Sequence, residues 1–353
     1  MNSNLLAKSV RNLRNAVAIN INHARGREFI PKKRDCLSIE TSSICNLKCC
    51  FCAYPKKQSA KVVMDDRFFQ SCIAQAVELG YDKFDLTPCT GDVFMDRTFL
   101  NKLDHLEQHP GVVSYSFHTN FTIPRRKDIE RLAQFRKIEG LNISIYGYDS
   151  GTFVAITKSP EKLYRRLVHN LELLFELMKD RALPVHFSFH TGAKSIRGQS
   201  SAMIDVLEKF RKAGTAVKAS KNVYNNWGGY ITQQDVKGLP ITVVGPDLIY
   251  KKGACVRLFT TIQIMATGIV NGCACRDADA TLRLGDLHEK PLGEIVSSRN
   301  PAYMALIEEQ QNGEFRPVCR SCDYYASIYH KSSVYGKNGT ELQSLEEFRS
   351  SLP

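Results

Sequence analysis

A Cys45-x3-Cys49-x2-Cys52 triplet, in eight residues that also hold Cys50, and five more cysteines from Cys255 to Cys322 constrain this 353-residue chain more than any other feature. Thiolates on such short, turn-forming spacings are metal ligands. The front triplet can hold three corners of a cubane [4Fe-4S] cluster. Its fourth iron then has no protein ligand, and a small molecule bearing an amine and a carboxylate could chelate it. Two other readings stand beside this one: a three-thiolate zinc site short of one tetrahedral ligand, and a cluster of buried cysteines.

A chain of this length, 43% hydrophobic and 24% charged, can bury one large barrel plus an appended module, or two ordinary domains. No apolar run reaches the roughly 18 residues that a membrane span requires, and no signal-peptide pattern opens the sequence. Twelve cysteines at ligand spacings point to a reducing cytoplasm, not to secretion. The formal charge of +12 counts every cysteine as neutral, so thiolate-bound clusters would make the protein less basic. A remaining positive field would favour an anionic substrate such as a phosphate, a nucleotide or an acidic peptide, although solvated lysines are the commoner explanation. Basic residues are scattered and no nucleic-acid motif is present, so no nucleic-acid partner is expected. Residues 1–27 hold five Lys or Arg and no acid. Leu5, Leu6, Val10, Leu13 and Val17 recur there at helical spacing, which predicts an amphipathic helix capping the body across residues 1–35. A membrane-surface helix or an organellar presequence would read similarly.

From residue 36 onward, apolar runs alternate with amphipathic stretches. Strands are predicted at Leu37 to Glu40, Phe84 to Thr87, Val112 to His118, Leu141 to Tyr146, Val185 to His190 and Ala216 to Ala219. Helices are predicted near 66–79, 97–108, 126–136, 160–180 and 201–213. Six β/α units in series imply an α/β fold, a partial (β/α)6 TIM-like barrel over 36–235, with functional residues at the C-terminal ends of its strands. After Asn222 this rhythm stops. A second, α+β module is expected over 236–340, with a hairpin of Thr260 to Met265 and Ile269 to Cys273, a helix near 301–311 and a tail over 341–353.

Cys45 to Cys52, with Phe51 before the last cysteine, resembles the signature loop of the radical S-adenosylmethionine (SAM) superfamily, whose core is also a partial six-unit barrel. The resemblance implies that Phe51 lies against the adenine. Gly91 and Asp92, ending the second strand, resemble the glycine-acid motif that holds the SAM amino group, with Asp in place of the family's usual Glu. Ser144, on the fourth strand, corresponds to a serine near the SAM ribose and carboxylate. Asn120 lies in a segment similar to the family's Thr-Asn-Gly, with Phe121 replacing glycine. His118, His186 and His190 lie on or near strands and are given no catalytic role.

Cys255, Cys273, Cys319 and Cys322 together could ligate a second [4Fe-4S] cluster, a layout that resembles the shortened twitch variant of the SPASM auxiliary-cluster domain. Four thiolates suit a zinc ribbon equally on ligand identity. Cys275 is left over: it could replace Cys273 as ligand, pack as a small hydrophobe, or donate a hydrogen atom to a substrate radical. Cys36, Cys50, Cys72 and Cys89 read as structural. The resemblance implies a radical SAM oxidoreductase with two [4Fe-4S] clusters and SAM, supplied by an electron donor such as flavodoxin or ferredoxin. A sugar or aminocyclitol is the expected substrate, because the cysteine layout is similar to that of aminocyclitol dehydrogenases. Peptide modification and redox-neutral sugar epimerisation are the alternatives. An electron carrier or iron–sulfur scaffold is the non-enzyme reading.

Overall fold

The computed structural model describes residues 3–32, 36–179, 183–190, 200–219, 222–246, 249–331 and 341–353. Six strands lie side by side in chain order: β1 (Cys36–Ile39), β2 (Lys83–Asp85), β3 (Ser114–Thr119), β4 (Ile138–Tyr146), β5 (Val185–His190) and β6 (Val217–Ala219). Every neighbouring pair is parallel. Parallel neighbours need crossovers, which are supplied by α2 (Asp66–Glu78), α3 (Phe99–Gln108), α4 (Arg126–Leu132), α5 (Ser150–Thr157) with α6 (Glu161–Met178), and α7 (Ala202–Lys212). The expected partial barrel is therefore present. Of the crossover helices, α5 is the one the periodicity did not reveal. Asp149 caps it by accepting from the Thr152 N–H at 2.7 Å, and its run Phe153–Ile156 is too short and too evenly apolar to show a 3.6-residue stripe.

Strand alternation sorts the side chains. Phe117 meets Phe99 of α3 with ring centroids 5.1 Å apart, and Phe187 meets Phe210 of α7 at 4.8 Å. These residues and their period-two neighbours form the layer between strands and helices. The opposite face carries Ser116 and His118, Asn142, Ser144 and Tyr146, and His186, Ser188 and His190, in register across β3, β4 and β5. His118 and His186 are exposed although their strands are central. The concave side of the sheet is thus an open, polar lumen.

One buried ion-pair network anchors the loop after β2. Lys102 of α3, 2% exposed, donates to Asp96 at 2.7 Å and is also bonded to Asp66 at the start of α2. Asp65 caps α2 by accepting from the Arg67 and Phe68 N–H groups, while Phe69, Cys72, Ile73 and Ala76 bury its inner face.

The C-terminal module does not stand apart from this sheet. β7 (Gln263–Ile264) runs parallel beside β1, with Gln263 opposite Ser38. β8 (Ile269–Asn271) and β9 (Arg283–Asp286) follow antiparallel, so these nine strands form one sheet in the order β9-β8-β7-β1-β2-β3-β4-β5-β6. The hairpin is shorter than expected and turns at Gly268, φ +90°. Helices α8 (Arg257–Thr260), α9 (Leu292–Ile295), α10 (Pro301–Gln311) and α11 (Pro317–Ser321) complete the module. Asn300 caps α10 with Pro301 at its first position.

Two expectations need correction. The N-terminal helix exists, α1 (Ser3–Ala24), but Val10, Leu13 and Val17 are 47%, 69% and 55% exposed, so its apolar stripe does not cap the body. It is attached instead through Ile19 and through polar contacts, Asn22 donating to the Tyr329 carbonyl and Tyr250 to Asn20. The side chains of Leu5 and Leu6 lie outside the described residues. Residues 341–353 are not a loose tail: Leu342–Gln343 pairs antiparallel with Ile30–Pro31, and α12 (Leu345–Ser351) buries Phe348 against Phe259 and Tyr303. No described helix is long and apolar enough to cross a membrane.

Candidate metal centres and cofactor site

The loop after β1 carries the front cysteines to the C-terminal mouth of the barrel. Burial pushes all three thiols upward, Cys52 to about 11, and each of Cys45 and Cys49 is raised further by its thiolate neighbours. Packing three such groups together makes sense around a cation, which favours the thiolate form. The loop is held from outside, where Lys48 N–H and Cys50 N–H donate to the Thr157 and Ile156 carbonyls, both at 3.0 Å. Cys50 responds to Lys158 on that outer side.

The expected cofactor residues gather around this loop. Asp92 N–H donates to the Ile44 carbonyl at 2.8 Å, and a Cβ on Gly91 would sit 2.4 Å from the Ser42 carbonyl oxygen. Asn120 Nδ2 donates to Asn46 Oδ1 at 2.9 Å and lies 3.9 Å from Cys45 Sγ. Asp92 is 1% exposed. Its carboxylate already accepts from the N–H groups of Asn120 at 2.7 Å and Phe94 at 3.0 Å, and from the Thr119 hydroxyl. Burial nevertheless raises its carboxyl to about 6. It therefore locks the ends of β2 and β3 together, a role its sequence context does not disclose.

Phe51 packs into an aromatic box, with ring centroids 4.7 Å from Tyr224, 5.6 Å from His190 and 5.8 Å from Tyr146. Ser144 stands beside the Tyr146 hydroxyl. Tyr146 is the residue that sequence reasoning missed: burial and then the nearby Cys49, Cys45 and Cys52 push its phenol upward. Its position two residues beyond Ser144, on the same strand face, was the available signal. Below it, Thr87 Oγ1 bonds Asp85 Oδ1 at 2.5 Å and His118 Nδ1 at 2.9 Å. Although part of its ring stays accessible, desolvation among the neighbouring strand-face groups lowers the His118 ring, and Asp85 opposes that shift. Burial also brings His190 down to about 4.

The second centre is a small cavity lined by Cys255, Cys273, Cys275, Cys319 and Cys322. Five cysteines surround it, not four. Gln310 bridges two of the ligand segments: its amide donates to Cys319 Sγ at 3.3 Å while its oxygen accepts from Cys255 N–H at 2.8 Å. Tyr324 N–H donates to Cys322 Sγ at 3.2 Å, and Arg257 Nη1 to Cys275 Sγ at 3.2 Å. Arg257 and Arg276 both cover the Tyr324 ring, 4.3 and 4.6 Å from its centroid. The hydrogen bond from Cys273, and then Arg257 and Arg276, lower the Cys275 thiol to about 6, while that same bond and burial raise Cys273. Among the described residues no three His, Cys, Asp or Glu side chains converge as ligands of a single metal ion. The cysteines stand around a space instead.

Residues 255–323 match the SPASM iron–sulfur cluster-binding domain. Comparison with curated protein sequences finds no match. Among solved structures the chain is similar to BtrN in complex with AdoMet and 2-DOIA, with a TM-score of 0.54 at 12% identity, covering 85% of this chain and 96% of that one. It is also similar to Streptococcus suis SuiB bound to precursor peptide SuiA, with a TM-score of 0.52 at 15% identity, covering 90% of this chain and 76% of that one. Residues 255–323 thus match the SPASM iron–sulfur cluster-binding domain, in a chain whose fold is similar to that of BtrN and SuiB.

Proposed function

We propose that this protein is a radical SAM oxidoreductase that dehydrogenates a hydroxylated small molecule such as a sugar or aminocyclitol. The observation that carries this reading is the polar lumen. Ser116, His118, Asn142, His186 and Ser188, with Asp85 and Thr87 beside His118, are half-buried or exposed on the strand face away from the helices, and they offer the donors and acceptors that a polyhydroxylated ligand requires. Similarity to BtrN over most of both chains is consistent with it.

Cys45, Cys49 and Cys52 would hold a [4Fe-4S] cluster with one iron open to SAM, and Cys255, Cys319 and Cys322 with Cys273 or Cys275 a fully ligated second one. When bound, these groups supply a hydrogen-abstracting 5′-deoxyadenosyl radical and an electron sink. Phe51 and its aromatic neighbours form an apolar wall for an adenine. Gly91, Asp92, Asn120 and Ser144 line the approach to the SAM amino acid and ribose. His118, oriented through Thr87 by Asp85, can accept the proton that the substrate loses after its hydrogen atom, and the Cys255 centre would hold the group that takes up the remaining electron. An external one-electron donor is required. Twelve free cysteines fit a reducing cytoplasm.

A specific observation keeps redox-neutral epimerisation as the second reading. Cys275 lines the second centre, and the Asp85 carboxylate on the lumen face opposes charge on its sulfur; in its thiol form Cys275 would serve as the hydrogen donor. Assays with candidate aminocyclitols under anaerobic conditions separate the two. Dehydrogenation gives one 5′-deoxyadenosine per turnover and a product two mass units lighter. Unchanged product mass with one solvent deuteron gained would overturn it in favour of epimerisation, and turnover only with peptides would point to the type of substrate seen with SuiB.

A further inference from the structure

The front cysteine loop has two sides. Its inner side faces Tyr146 and the lumen, whereas its outer side is laid against the end of α5 by the two backbone bonds to Thr157 and Ile156. That outer side is rimmed by cations. Lys48 is exposed next to Cys49, and Lys158 is exposed where α5 ends. Lys162 and Arg166 follow on α6, one turn apart and both exposed. Arg166 reaches the Ile123 carbonyl at 2.7 Å, one residue beyond Thr122, whose hydroxyl accepts from Asn46 of the cysteine loop at 2.8 Å. Arg125 and Lys127 share a surface depression with Arg166. Cations thus occur on each segment that holds the outer side of the loop: Lys48 on the loop itself, Lys158 after α5, Lys162 and Arg166 on α6, and Arg125 and Lys127 at the start of α4.

Of the nearby acids, Glu161 is paired with Arg165 at 3.2 Å and Asp96 with Lys102 at 2.7 Å, and Asp128 offsets one charge of a depression that Arg97, Arg125, Lys127 and Arg166 leave net cationic. Among the described residues Lys48, Lys127, Lys158 and Lys162 form no ion pair. An unpaired cationic rim steers an acidic partner by long-range attraction and sets its orientation. Here it does so beside the centre that must be reduced, on the side away from the substrate lumen.

We propose that this face is the docking surface for a small acidic one-electron carrier protein. The inference rests on the radical SAM reading and adds to it the place where the electron enters. The exchange is a single electron: the carrier's reduced centre is oxidised by one, the front cluster is reduced by one, and no bond or proton is exchanged. Lumen substrates and the carrier then approach from opposite sides and do not compete.

The test uses the full cluster-loaded chain under anaerobic conditions, with flavodoxin hydroquinone and titanium(III) citrate as alternative reductants. Appearance of the reduced-cluster EPR signal is followed for the native protein and for Lys127→Glu/Lys162→Glu. Reduction by flavodoxin is expected to fall about tenfold in the variant and to weaken with added salt in the native protein, while reduction by titanium(III) citrate stays unchanged. Equal rates for native and variant with flavodoxin would overturn the proposal, as would equal losses with both reductants, or loss confined to binding of a single-stranded oligonucleotide or of anionic vesicles. Failure of titanium-reduced native protein to cleave SAM would instead refute the radical SAM reading itself.

Discussion

Glu40, the residue that follows the first barrel strand, accepts a hydrogen bond of 3.2 Å from the N–H of Ala266 in the turn of the C-terminal hairpin. This bond ties the hairpin to the barrel exactly where β7 joins β1. The carboxyl is fully buried, and burial raises it above the ordinary carboxylate range, partly opposed by Lys57. Such a group stabilises the fold when protonated and loses that contribution as pH rises from the ordinary carboxylate value toward its folded one. Glu40→Gln keeps an acceptor for Ala266 and should flatten the pH dependence of the melting temperature. Glu40→Ala leaves the Ala266 N–H buried without a partner and should cost about 1–3 kcal/mol, read as a lower melting temperature at every pH.

Gly91 has φ +155°, and a Cβ there would meet the Ser42 and Ile44 carbonyls. Gly91→Ala should therefore cost about 1–3 kcal/mol in backbone strain alone and push the Asp92 loop away from the cysteine loop. Loss of SAM binding with the secondary structure intact by circular dichroism is expected. Unchanged SAM affinity would show that this close approach does not matter.

Asp92 gives a pH signature. Its folded carboxyl titrates near 6 because of burial, and an ammonium group favours the ionised form. If Asp92 faces the SAM amino group, SAM affinity measured by calorimetry should rise with pH through about 6 and level off above it. In Asp92→Asn the profile should be flat and the affinity lower by about tenfold or more, since Asn offers one acceptor where the carboxylate serves several donors.

Iron content distinguishes the five cysteines of the second centre. The native protein should hold about eight irons per chain. Cys275 is bonded to Arg257, so Cys273 is the expected ligand: Cys273→Ala should retain about four irons and Cys275→Ala about eight. The reverse pattern would exchange the two assignments.

Gln310 donates to Cys319 Sγ and accepts from the Cys255 backbone. Donors to ligand sulfurs stabilise the more reduced cluster. Gln310→Leu should therefore shift the potential of the second cluster to a more negative value, on the order of tens of millivolts, by EPR-monitored titration, with the front cluster unaffected.

Much of this protein is written locally. Cys45, Cys49 and Cys52 are confined by seven peptide bonds to one loop whatever surrounds them, and alternating apolar periods are set by the faces of strands and helices, so β5 and α10 were legible to the residue. Tertiary structure decided what distance along the chain conceals. Gln263 reaches Ser38 only because the hairpin joins the open edge of the barrel sheet. Tyr146 meets the cysteine loop because β4 ends beneath it, and Cys275 stands with four other cysteines because three separated segments enclose one cavity. Asp92 looks like a free acid in sequence and becomes a clasp once β3 brings Asn120 to it. Local pattern fixes which face of an element is apolar. Hydrogen-bond pairing between strands far apart in sequence decides which polar groups share a site, and no short-range signal encodes that pairing.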